Sequence, residues 1–260
     1  MKQRKFLQLF LNNNFTPFTE NSMKHTLSIL IFFFLAQVGF AQQPVVKYSG
    51  KMSKIGQEGR TDAAILVDTI NAKHLYAIGP VENLRGEIIV WDSRSFVAAI
   101  TTEKKPFLLR DVKDLKAIFL VYADVAEWDT IVLTRKISSM RELETAVTNA
   151  AHQHGTDTAT AFPFLLFGKV KEGSGHIMFK DSSVTTINPE TLKEAKQINT
   201  FSHQKAQMLG FYSQHHQTIF THHDSYLHIH YRLWNRYQAG HLEIISFDEA
   251  EPVKLLLPHK

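Results

Sequence analysis

The sequence contains no cysteine. A chain without cysteine has no disulfide to support its fold, so its stability must come from a packed core. It also has no thiolate for nucleophilic catalysis or metal binding, so any metal site would have to use histidine, aspartate and glutamate. The 260 residues are 44% hydrophobic and 21% charged, which is typical of a globular chain that forms one large or two small domains.

The sequence also has little net charge once its N-terminal segment is set aside. Four of the 29 lysine and arginine residues and one of the 25 acidic residues lie in residues 1–41, so the rest of the chain carries a formal net charge of +1. No cluster of basic residues remains after residue 41. We therefore expect no binding to nucleic acid, whose phosphate backbone would require one.

The N-terminal segment has the pattern of an export signal. Residues 23–25 form a short basic start, Leu27–Ala36 is an apolar run too short to span a membrane, and Ala41 ends a small-residue cleavage site. We predict a signal peptide over residues 23–41, an exported chain that is periplasmic or secreted, and no membrane contact after cleavage. A buried N-terminal helix is the alternative. Residues 1–22 fit no signal pattern, and we interpret them as a start codon assigned too early.

Apolar and alternating runs, separated by turn residues, predict strands along most of the remaining chain. The predicted strands are His74–Ile78, Glu87–Trp91, Ser95–Ile100, Ala117–Ala123, Phe162–Phe167, Leu209–Tyr212, Tyr226–Trp234 and His241–Phe247. We expect an α/β fold with two halves. Residues 42–155 would form a mixed β-sheet packed by a helix, and residues 156–260 an antiparallel, barrel-like sheet that carries a metal site.

Two helices are predicted from their end signals. Ser139 and Glu142 have the spacing of a capping box, apolar residues follow at helical spacing, and Gly155 provides the stop after residue 154. Asn188 followed by proline indicates a second helix start, and that helix is expected to run to about Ile198.

Histidine is abundant, with 14 residues, so only the spacing of a histidine carries information. Side chains alternate along a strand, which places His228 and His230 on one face and their apolar neighbours on the other. If the chain reverses near residues 235–236, His241 lies opposite His230, about 5 Å away between β-carbons. Three imidazoles placed in this way can bind one Zn²⁺ and leave a coordination position open, which is typical of catalytic zinc. The alternative is that these are surface or hydrogen-bonded core histidines.

A second group of polar residues precedes the His228 strand, and its role stays open. It consists of His215, His216, His222, His223 and Asp224. Asp224 is the best candidate to orient a metal-bound imidazole, because carboxylates commonly accept from such rings. The segment could equally be a plain loop, a second and weaker metal site, or the source of a catalytic acid.

The histidine spacing resembles the C-terminal signature of the alpha-acetolactate decarboxylase family. That signature is H-x-H on a strand, followed ten residues later by a Gly-His pair, as in His228, His230 and Gly240-His241 here. Looser similarity covers roughly Tyr48 to Pro258. The segments that carry this looser similarity are the motif Gly79–Glu87 with the apolar residues and Asp92 that follow, the strand Phe162–Val170, and Gly210–Tyr212.

The resemblance implies a specific activity. The family removes CO₂ from 2-acetolactate, a small 2-hydroxy-3-keto acid, and produces acetoin. It implies Zn²⁺ as cofactor, with the metal acting as a Lewis acid, and a homodimer joined through the N-terminal sheets. By position, Glu87 matches the family's motif glutamate, which together with an arginine orients the carboxylate and manages the proton; a strand-start carboxylate with no such role is the alternative.

The sequence departs from the family at its proton-handling residues. Arg85 stands where the motif has aspartate, and neither the family's arginine nor its C-terminal glutamate has a counterpart. His176 falls near the arginine position and is a possible replacement donor, although it could be a plain strand histidine. Two other functions therefore stay open: an exported zinc-binding protein without turnover, and a zinc hydrolase in which His176 or Glu87 activates water.

Overall fold

Short turns divide the first half of the chain into an antiparallel sheet. In this computed structural model, which describes residues 43–234 and 237–260, six strands lie in the order β1-β8-β3-β4-β5-β6. They are β1 (Lys47–Ser49), β3 (Leu75–Pro80), β4 (Glu87–Trp91), β5 (Arg94–Ile100), β6 (Pro106–Arg110) and β8 (Leu120–Asp124). The predicted signal peptide and the turn at residues 235–236 lie outside the described residues.

The prediction of a mixed N-terminal sheet is wrong, because every strand pair in it is antiparallel. The connection between β4 and β5 shows the reason. Asp92 and Ser93 both have positive φ, as a two-residue hairpin turn requires, and such a turn can join only antiparallel strands. The predicted strand Ala117–Ala123 is also divided. Its first residue belongs to β7 (Lys116–Ala117), which pairs with β2 (Ile65–Leu66) in a separate two-stranded sheet.

Residues 156–260 form five strands of a six-stranded antiparallel sheet, as predicted, and β9 from before residue 155 adds the sixth. The strand order is β11-β12-β13-β10-β14-β9, and an additional pairing joins β11 to β10. The strands are β9 (Trp128–Leu133), β10 (Phe162–Met178), β11 (Lys196–Tyr212), β12 (Leu227–Leu233), β13 (Ala239–Phe247) and β14 (Val253–Pro258). β10 pairs with β11 along one edge and with β13 and β14 along the other. The barrel-like character and the division at residue 155 stay predictions.

The described residues contain three α-helices: α1 (Ser53–Glu58), α2 (Met140–His154) and α3 (Pro189–Ala195). They are few, and strands dominate. In α2 the Ser139 hydroxyl accepts from the Glu142 N–H as predicted, but the Glu142 carboxylate accepts from Ser138 rather than Ser139. Helix α3 ends at Ala195, before the expected end, because β11 begins at the next residue. No helix within residues 43–234 or 237–260 has the length and hydropathy needed to cross a membrane.

A shared apolar core packs the two large sheets against each other. Ile78 and Ile89 from the first sheet lie in one buried cluster with Leu165, Leu209 and Phe211 from the second. A separate cluster packs α2 against the other face of the second sheet. The beginning of β4 therefore lies next to the strands that carry the histidines.

Gly175 allows β10 and β13 to approach closely beside those histidines. A β-carbon at this position would overlap the carbonyl oxygen of His241 and the ring of Tyr231. We expect Gly175→Ala to lower the free energy of unfolding by about 1–3 kcal/mol, since overpacking forces the strands apart. Urea denaturation measures the change.

Gly56, in α1, provides the matched control because a β-carbon there would have no neighbour within 4 Å. Gly56→Ala should raise stability by about 0.5–1 kcal/mol, because glycine is entropically costly inside a helix. Equal effects of the two substitutions would contradict the steric argument.

Candidate functional site

Three histidine rings from β12 and β13 converge at the junction of the two sheets. His228 and His230 lie on the same face of β12 and are 2% and 1% exposed. His241 pairs directly with His230 across the strands, so the predicted register is confirmed. The ring centroids of the three residues lie 5.0 to 5.5 Å from one another.

Two nitrogen atoms of this triad, one each from His228 and His230, have the spacing of two metal ligands. The Nε2 atoms of His228 and His230 are 3.2 Å apart. Two ligands of a tetrahedral zinc, each bonded at about 2.0–2.1 Å, are separated by about 3.3–3.4 Å. The Nδ1–H of His230 donates to the carbonyl oxygen of Ile88 at 2.8 Å, which assigns the proton to Nδ1 and leaves the Nε2 lone pair free. The buried Nδ1 atoms of His228 and His241 have no hydrogen-bond partner among the described residues.

Burial keeps these imidazoles neutral. It lowers the pKa of His230 to about 3 and lowers the pKa values of His228 and His241 well below the usual range. Neutral imidazole is the form that binds a metal, so the triad needs no deprotonation at neutral pH.

Glu87, the first residue of β4, lies beside the triad. It is 2% exposed, and its Oε1 accepts a 3.1 Å hydrogen bond from the backbone N–H of Met178. Its Oε2 is 3.7 Å from Nε2 of His230, and its Oε1 is 3.7 Å from Nε2 of His176. Burial raises the pKa of Glu87 well above its usual value and so favours the protonated form of this carboxyl.

His176 reaches the same site from β10. It pairs with His241 on the side of β13 opposite β12. Its Nδ1–H donates to Oε1 of Glu243 at 2.6 Å, and Lys196 Nζ donates to the same oxygen at 3.2 Å. The bond from His176 lowers the pKa of Glu243 to about 2, while burial lowers the pKa of His176. The pair is therefore a neutral imidazole donating to an ionised carboxylate.

His176, His241 and Glu243 form a second group that could hold a metal, with one ligand atom of each within 4.8 Å of the others. It shares His241 with the triad. The 2.6 Å separation between His176 and Glu243 is shorter than the ligand spacing around a tetrahedral zinc, about 3.3 Å, and is that of a charge-assisted hydrogen bond. The His176–Glu243 distance is therefore that of a hydrogen bond, whereas the 3.2 Å between His228 and His230 fits a hydrogen bond as well as two zinc ligands.

Sequence reasoning missed three participants. Glu243 had a signal, since it lies two residues after His241 and so on the same face of the strand. A bulge opposite Ser174 and Gly175 leaves it without a paired residue. The Ile88 carbonyl and Lys196 had no such sequence signal. A backbone acceptor cannot be recognised from residue types, and Lys196 comes from a distant strand.

The structure separates the other histidines from the triad, with one exception. His216 accepts from or donates to the Ser213 hydroxyl at 2.6 Å and stacks on Phe220. Asp224 was the expected partner of a metal-binding ring, but it is exposed and lies 3.6 Å from His222 instead. The Ile88 carbonyl takes the role expected of Asp224. His222 is the exception, because its ring centroid lies 6.3 Å from that of His241.

A cavity of about 220 Å³ opens onto this site. Its remaining wall is mainly apolar and includes residues of α1 and α3, while its polar wall consists of Glu87, His176, Lys196, His222, His228 and His241. The lining residues are Met52, Ile55, Gly56, Pro80, Glu87, Phe119, His176, Met178, Leu192, Lys196, His222, His228 and His241. The arrangement can hold a cation and admit a small molecule to it.

Comparison with known proteins identifies the fold. No protein-family model matches the sequence, and no curated protein matches it. Alpha-acetolactate decarboxylase from Bacillus subtilis strain 168 is similar in structure, with a TM-score of 0.63 and 13% identity over 83% of this chain and 86% of that chain. The acetolactate decarboxylase of Bacillus subtilis subspecies spizizenii has a TM-score of 0.64 and 14% identity, again over 83% and 86%.

A Staphylococcus aureus protein of unknown function, described as similar to alpha-acetolactate decarboxylase, has a TM-score of 0.59 and 12% identity over the same shares of both chains. These identities support a shared fold and no more. The resemblance that the histidine spacing predicts is therefore shown at the level of the fold, which is that of the alpha-acetolactate decarboxylases.

Proposed function

We propose that this protein is a zinc-dependent decarboxylase of acetolactate or a similar small 2-hydroxy-3-keto acid. The observation that carries the proposal is the pair of Nε2 atoms of His228 and His230, 3.2 Å apart and buried beside the carboxyl of Glu87. The shared fold of the acetolactate decarboxylases supports the reaction class. Export through a signal peptide over residues 23–41 and assembly as a homodimer are part of the same proposal.

The metal would be held by His228, His230 and His241. Bound there, Zn²⁺ would supply Lewis-acid chemistry to the hydroxyl and keto oxygens of the substrate. The chain fixes the ring of His230 through the Ile88 carbonyl, and burial keeps all three imidazoles unprotonated. The apolar walls of the cavity exclude water from the reacting carbon.

Glu87 manages the proton in this proposal. Loss of CO₂ leaves an electron pair on the substrate carbon, and a proton must then be delivered to complete the product. Burial lets the carboxyl of Glu87 hold that proton, and the Met178 N–H fixes its orientation. His176 lies 3.7 Å away, and its Nδ1–H bond to Glu243 directs its Nε2 towards Glu87.

A second candidate function rests on the missing arginine. Among the residues that line the cavity, none is an arginine, so the proton and carboxylate chemistry of the family is altered here. A zinc-binding protein without turnover is the alternative function, and a zinc hydrolase is another. The experiments below separate the three.

Metal content tests the first step. We expect the purified protein to contain one zinc per chain by plasma mass spectrometry. His230→Ala should weaken zinc binding by at least about 100-fold, because it removes a ligand rather than a partner of one. His203→Ala is the control, since this histidine is exposed on β11. A folded protein that stays metal-free in excess zinc would rule out the site.

Two further variants distinguish the overlapping metal groups in the same measurement. His228→Ala should lose zinc, whereas Glu243→Gln should keep it, because Glu243 is assigned a hydrogen bond and not a metal bond. The reverse result would move the metal to His176, His241 and Glu243.

Turnover tests the second step. Acetoin release from racemic acetolactate should fall by about 10²–10⁴-fold in Glu87→Gln while zinc content is unchanged, because the amide cannot transfer a proton. The exposed Glu127→Gln serves as control. Stoichiometric zinc without acetoin release in the unmodified protein would leave the binding function, and activity on esters or amides alone would indicate the hydrolase.

A further inference from the structure

Lys196 is the one cationic residue, lysine or arginine, among those that line the cavity. It is the first residue of β11 and directly follows α3, whose Leu192 lies in the apolar wall. Its side chain is 34% exposed, so the ammonium group lies where the cavity meets solvent. The position is set by the α3–β11 junction and by the contact with Glu243 on β13.

A carboxylate entering this cavity requires a cation of its own, because the proposed zinc is assigned to the hydroxyl and keto oxygens of the substrate. Burying an unpaired anion is costly, and the two acidic groups nearby, Glu87 and Glu243, cannot pair with it. Most of the remaining wall is apolar and offers no hydrogen bond.

The ammonium group of Lys196 has donors to spare. It carries three N–H groups. The described residues give its Nζ one hydrogen bond, to Oε1 of Glu243 at 3.2 Å. Glu243 also accepts from His176, so the carboxylate that holds Lys196 in place is shared with another donor. Glu243 thus orients the ammonium group of Lys196 and leaves N–H donors available for a ligand.

We infer that Lys196 binds the carboxylate of the substrate, which restricts the substrate to small 2-hydroxy-3-keto acids whose remaining substituents are apolar. The inference rests on the proposed function for the choice of substrate. The cavity, at about 220 Å³, suits a molecule of a few carbon atoms. Lys196 thereby fills the need for a cation that the missing arginine leaves.

Binding of an unreactive pair of ligands tests this assignment without turnover. The zinc-loaded full-length protein is titrated by calorimetry with 2-hydroxy-2-methylpropanoate and with its neutral amide. Lys196→Met should weaken binding of the acid by about ten- to hundredfold, which is the usual cost of losing one charge-assisted hydrogen bond. Binding of the amide should be unchanged.

Two variants control the measurement. Lys196→Arg should restore most of the affinity for the acid, because it restores the charge. Lys193→Met should leave both affinities unchanged, because that lysine is exposed on α3 and does not line the cavity. If Lys196→Met does not fold, the double variant Lys196→Met/Glu243→Gln removes both members of the ion pair and is titrated instead.

The outcomes separate this inference from the proposed function. Equal acid affinity in the unmodified protein and Lys196→Met, or an equal loss for acid and amide, overturns the role of Lys196. Absence of acid binding to the unmodified protein overturns it too. Charge-selective binding through Lys196 in a protein that releases no acetoin upholds the role of Lys196 and rejects the decarboxylase.

Discussion

The hydrogen bond between Nδ1 of His230 and the carbonyl oxygen of Ile88 couples the two sheets at the site. It joins residues 142 positions apart, and it is 2.8 Å long and buried. A carbonyl oxygen can only accept, so the proton of His230 must be on Nδ1 and the Nε2 lone pair must face the other histidines. The same strand carries Glu87, so one element sets both the tautomer of the imidazole and the place of the carboxyl.

Two short contacts at the site have different physical meanings. The Nε2 atoms of His228 and His230 are 3.2 Å apart, and Nε2 of His230, which carries no proton, can accept either the Nε2–H of His228 or a cation. The 2.6 Å contact between His176 and Glu243 has a donor and an ionised acceptor and is complete without a metal. A nitrogen pair at the spacing of two zinc ligands thus adjoins a hydrogen bond that is shorter than that spacing. That difference, more than the number of histidines, assigns the two sets of residues.

Strand periodicity was enough to predict the core of the site from the sequence. Alternation places His228 and His230 on one face, and a short connection places His241 opposite His230, as found. The ends of α2 were readable for a similar reason, because capping is local. The mixed sheet was mispredicted because apolar runs report burial and not strand direction. β10 was predicted only over its first six residues, so its pairing with β13, which brings His176 beside His241, could not be derived.

The missing arginine can be understood in terms of what the site requires. Its physical requirements are a held proton, a cation for the carboxylate and a fixed orientation for both. In this chain the requirements fall on separate groups: Glu87 is buried enough to hold a proton, and Lys196 provides the charge at the cavity edge. Glu243 connects Lys196 with His176, because its carboxylate accepts a hydrogen bond from each. A single arginine guanidinium would combine a positive charge with directed N–H donors. Here the carboxylate of Glu243, on the bulged strand β13, instead positions two weaker donors, Lys196 and His176. The absence of the arginine therefore does not by itself argue against the proposed reaction, because an ammonium group and a buried carboxyl line the same cavity.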